Sequence, residues 1–87
     1  MITDEKIAEL DEAIAQEKRV AAREMQSEAW ADGMMEGIET EILADAAIAT
    51  ALEELIRTDG ESAALLLVDN LRDRVIAGEF IPERTLQ

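Results

Sequence analysis

EMQSEAWADGMMEGIE, running from Glu24 to Glu39, decides the architecture, because a helix either passes through this stretch or ends inside it. Four acids stand at steps of four (Glu24, Glu28, Asp32, Glu36) beside the sole tryptophan, Trp30, the methionine pair Met34 and Met35, and the glycines Gly33 and Gly37. In a helix those acids share one face, about 6 Å apart along the axis. That is close to the repeat of a nucleic-acid backbone. Asp32-Gly33 has strong turn character, and Gly33-x-x-x-Gly37 marks a hinge or loop. Two outcomes are open: the helix breaks near Asp32-Gly33, or its last turns face a different neighbour.

Upstream, Thr3 is placed to cap a first helix, with Asp4 and Glu5 favoured by the free amides of its first turn. Ile7, Leu10, Ile14, Ala21 and Met25 form one apolar stripe, interrupted near Glu17 and Lys18. The same stripe is continued by Asp32 and Glu36, whereas Trp30 and Met34 point roughly 140–180° away. Lys18, Arg19 and Arg23 read as a solvated basic face.

Downstream, Thr40 can cap a second helix over Glu41 to Arg57, its apolar face built from Ile42, Ile48, Ala49, Leu52, Leu55 and Ile56. Asp45 falls in that face and needs the end of the packed region or an arginine such as Arg19, Arg23 or Arg72. Glu53 and Arg57 have ion-pair spacing. Gly60 suits the left-handed C′ position at the end of that helix, and Thr58-x-x-Glu61 has capping-box spacing for a third helix. That helix runs to about Ala77 and presents Ala64, Leu67, Val68, Leu71 and Val75, with Leu65, Leu66 and Ile76 to the sides. Gly78 ends it, Phe80 or Ile81 folds back, and Pro82 directs the tail away. The expected fold is all-α: one domain over residues 1–87, a small bundle of three main helices in which the long first helix packs on an antiparallel hairpin.

Composition supports that class and narrows function. At 87 residues and 9.6 kDa there is room for one marginal core, burying roughly 60% of the unfolded surface. Trp30 and Phe80 are the only aromatics, and the aliphatic residues suit helix packing better than sheets. A net charge of −13 opposes direct binding to nucleic acid or anionic lipid and favours basic partners. There is no cysteine, histidine or tyrosine, so neither a thiol or imidazole nucleophile or base nor a zinc site is available. The N-terminus lacks the basic flank and apolar run of a signal peptide, and Ala63 to Val68 is too short to span a bilayer, so a cytoplasmic protein is expected.

Only an all-oxygen metal site survives those exclusions. Glu9-x-x-Glu12 and Glu36-x-x-Glu39 could meet if their helices pack together, and the pairs resemble the metal motif of all-α nucleotide pyrophosphohydrolases. There the second pair ends in Asp, a departure that counts against an Mg²⁺-dependent hydrolase here. In size, acidity and lack of catalytic residues the chain resembles phage-encoded inhibitors such as anti-CRISPR proteins, a likeness of class that carries no residues over.

The expected function is therefore a non-catalytic, acidic protein-binding module without cofactor or metal. It inhibits a partner by occupying a basic, nucleic-acid-binding surface. Glu24, Glu28, Asp32, Glu36 and Glu39, with Glu41 and Asp45 beyond, supply periodic charge, and Trp30, Met34 and Met35 supply apolar anchors. The alternative is a homo-oligomeric helical adaptor or regulatory subunit, a dimer in its simplest form, burying the apolar surplus of the third helix and Trp30.

Overall fold

The computed structural model describes residues 3–82. They contain three α-helices and no strand: α1, Asp4–Met35; α2, Thr40–Asp59; and α3, Glu61–Ile76. Helix makes up 85% of them, so the chain is all-α with three main helices, as its composition and apolar periodicity predict. It divides into two units, Met1–Ala44 and Asp45–Gln87, the division falling inside α2.

In the first unit, the Thr3 hydroxyl accepts a hydrogen bond from the Lys6 amide at 3.2 Å, so α1 is capped as expected. The helix then runs through Asp32-Gly33 without a break. Gly33 is helical and buried, and it serves as a packing site for Leu43 from the start of α2. A Cβ at Gly33 would lie 2.5 Å from Leu43 Cδ2, so only glycine admits this approach without a shift. The stop comes at Gly37, whose φ of +80° is left-handed. The Gly37 amide bonds to the Met34 carbonyl at 3.0 Å and the Ile38 amide to the Gly33 carbonyl at 3.1 Å, the paired bonds of a Schellman ending. Of the two glycines expected to form one hinge or loop, Gly33 therefore packs and Gly37 turns. Thr40 is already inside α2 rather than capping it. The preceding Glu39 carbonyl accepts the first helical bond, from Leu43 at 3.0 Å, and the Thr40 hydroxyl lies 4.0 Å from the Met34 sulfur.

In the second unit α2 and α3 pack closely, with Gly60 alone between them. Gly60 has φ +93° and ψ 169°, a combination essentially reserved for glycine, which lets the chain turn in one residue. The expected capping box does not form: the Thr58 hydroxyl donates back to the Glu54 carbonyl at 3.0 Å, and Gly60 offers no side chain to cap α3. Arg57 pairs with Glu54 rather than with Glu53. Asp45 is exposed and joins none of the ion pairs among the described residues, so it needs no arginine. Gly78, φ +81°, closes α3 with a second Schellman pair, Gly78 to Val75 and Glu79 to Arg74. Arg74 then holds the turn twice over, binding Glu79 through Nε and Nη2 at 2.7 and 2.8 Å and stacking its guanidinium 4.8 Å from the Phe80 ring centre. The direction of the tail after Pro82 lies outside the described residues.

Burial is slight. Ala64, 5% exposed, is the one buried apolar residue among those described, with Leu52, Leu55, Ala63, Leu67 and Leu71 half-buried near it. Ala64, Leu67 and Leu71 were expected on the packed face of α3, but Val68 and Val75 are exposed. On α2 the expected face is only partly used, with Ile42, Ile48 and Ile56 left in solvent. Two helices share a seam rather than enclose a core, so residues flanking the seam stay wet. The α1 stripe is likewise uncovered, Leu10 at 55% and Ile14 at 50%.

Candidate partner-binding site

Because α1 is continuous to Met35, the geometry of the acid ladder follows from helix arithmetic. Glu24, Glu28 and Asp32 advance by about 6 Å and turn by about 40° at each step, and Glu36 follows as the C-cap with near-helical backbone. All four are exposed, and none joins an ion pair among the described residues. No basic residue lies in the last turn of α1, so Asp32 and Glu36 sit at the negative end of the helix dipole without a local cation. That position is electrostatically unfavourable in isolation and improves when a positive surface approaches.

The same continuity sorts the apolar candidates. Trp30 is two residues from both Glu28 and Asp32, roughly 200° around the helix, so it faces away from the ladder. It lines a shallow surface depression with Arg23, Gln26 and Ser27 and remains 36% exposed. Met34 is on Trp30's side and turns its sulfur toward Thr40. Met35 differs: 86% exposed, it lies one turn beyond Asp32 on the acid side. Ladder and Met35 thus make one surface, Trp30 and Met34 another. Glu39 stands exposed in the turn that follows.

The structure does not bring the two glutamate pairs together. Glu9 and Glu36 lie at opposite ends of α1, about 40 Å apart at 1.5 Å per residue. No group of three or more acids among the described residues could hold a metal ion. No described helix is long and apolar enough to cross a membrane. After α3, the hydrogen bonds from Arg74, reinforced by its charge, hold the Glu79 carboxyl below the usual glutamate range.

Leu43 is the positioning residue that periodicity did not single out. Reading Gly33 as a close-packing glycine rather than as a breaker would have pointed to a large side chain seated on it from the following helix. No known protein family matches this chain, and neither does a curated protein or a solved structure.

Proposed function

We propose that the chain is a non-catalytic inhibitor that lays the acid side of α1 into a basic, nucleic-acid-binding groove of another protein. The observation that supports this reading is the run Glu24, Glu28 and Asp32 on one unbroken, solvent-exposed helix, continued by Glu36 and lacking any basic counterpart in the last turn. Rigid spacing of charge matters here: a helix presents its carboxylates without the ordering cost a flexible acidic tail meets on binding. Met35 supplies an adaptable apolar contact beside the acids. Trp30 serves a second contact or a neighbouring subunit.

The test uses the full chain immobilised on a resin. Proteins captured from the source cell should elute in a salt gradient and be displaced by duplex DNA, because both agents compete for the same basic surface. Glu28→Lys and Asp32→Lys should each weaken capture by roughly tenfold, about 1.4 kcal/mol. Capture that ignores salt and both reversals, yet is lost on changing apolar residues, would overturn the proposal.

The second reading, a homo-oligomeric adaptor, has its own support in the many large apolar side chains left exposed on all three helices.

A further inference from the structure

In the first unit, the segment after α1 reaches back only as far as Gly33, where Leu43 is seated. From Ile7 to Met25, roughly 27 Å of helix, nothing in that unit lies on the apolar stripe. We infer that this stripe is the interface with a second copy of the chain, the two α1 helices running antiparallel.

Self-complementarity selects that occupant. Ile7, Leu10, Ile14 and Ala21 fall on the seam positions of a heptad, with Glu17 in the gap. Two parallel, in-register copies would set Glu17 against Glu17 and Glu24 against Glu24, like charges meeting in an apolar seam. Inverting one helix about a point between Ile14 and Glu17 removes both like-charge contacts, setting Glu17 of each copy at the level of Ile14 and Glu24 at the level of Ile7 of the other. It places Leu10 of each copy at the level of Ala21 of the other, bulky against small. On the flank it brings Asp11 of each beside Lys18 of the other, so one ion pair is repeated by the two-fold axis. Asp11 and Lys18, seven residues apart on their own helix, do not pair with each other there, although Glu12 and Arg19 at the same spacing do. The scarcity of buried apolar residues fits as well, since an obligate dimer interface resembles a core cut in half.

In this arrangement the helices overlap over about Asp4 to Ser27. Glu28 to Glu36 then extend past the second copy at each end, and a dimer presents the acid surface twice.

Sedimentation equilibrium of the full chain at micromolar concentration should return twice 9.6 kDa. Asp11→Lys and Lys18→Asp should each weaken the dimer, by roughly tenfold across the two symmetry-related pairs, and the double swap should restore it. The chain has no cysteine of its own, so Leu10→Cys with Ala21→Cys should oxidise to a covalent dimer. Eleven residues separate these sites, about 16 Å on one helix, which rules out a bridge within that helix. A monomer at every concentration, a dimer without charge-swap rescue, or crosslinking by the single-cysteine variants instead of the double would each overturn the inference. Glu28→Lys and Asp32→Lys leave the dimer mass unchanged in this scheme, so its failure is distinguishable from failure of the inhibitor reading.

Discussion

Replacing Gly33 by alanine sets two effects of known size against each other. Alanine in a helix interior is favoured over glycine by about 1 kcal/mol because it restricts the unfolded chain. Here, however, the added Cβ would stand 2.5 Å from Leu43 Cδ2, 3.1 Å from Cδ1 and 3.4 Å from Cγ. One methyl could swing aside, but Cδ1 at 3.1 Å is tight as well, so both methyls of the isobutyl group have to give way while Cγ at 3.4 Å stays in ordinary contact. Overpacking of this kind costs about 1–3 kcal/mol. The net expectation is that Gly33→Ala destabilises by about 1 kcal/mol, a fall in Tm of roughly 4–8 °C for a domain this small. In a Leu43→Ala background the obstruction is gone and only the propensity gain remains, so the same substitution should stabilise by about 1 kcal/mol. The double-mutant cycle therefore carries a coupling of about 2 kcal/mol. Urea denaturation followed by helical circular dichroism measures all four chains, at one protein concentration because association shifts apparent stability. Zero coupling, with Gly33→Ala raising stability equally in both backgrounds, would refute the seating of Leu43 on Gly33.

Two further outcomes follow from local geometry. Gly60→Ala should cost about 1–3 kcal/mol, because φ +93° with ψ 169° lies in a region that residues with a Cβ scarcely enter, and nothing within 4 Å offers compensation; full stability in urea would contradict that backbone. The Glu79 carboxyl should titrate below an ordinary glutamate in a carbon-detected NMR series and return to the ordinary value in Arg74→Ala. Because its folded pKa is the lowered one, the pair's contribution is complete above the unfolded-state value and is lost as pH falls through the folded value. An unchanged titration in Arg74→Ala would exclude the pairing.

Much of the local structure was legible from single residues. Thr3 caps α1 because a hydroxyl can accept a free first-turn amide wherever the helix begins. Gly60 and Gly78 mark ends because only glycine enters their backbone regions at little cost. Caps that need a choice between partners were misread. Thr58 had Glu61 at capping-box distance in sequence but turns back to the Glu54 carbonyl, and Arg57 takes Glu54 over Glu53, because side chains near in sequence have several nearly equal bonds open to them.

The candidate site divides along the same line. The ladder's spacing was fixed once its residues were helical, and so was the side taken by Trp30, but the side of the helix occupied by Met34 and Met35 depended on whether α1 ends at Gly33 or at Gly37. By itself the sequence determined an all-α, cysteine-free and strongly anionic chain with capped helices and an apolar stripe on α1, because these properties reside in individual residues and short periodicities. Only the tertiary structure decided that Leu43 fills the space over Gly33 and lets α1 run on to Met35. A glycine breaks a helix or admits a neighbour according to what packs against it, and that neighbour comes from a different helix.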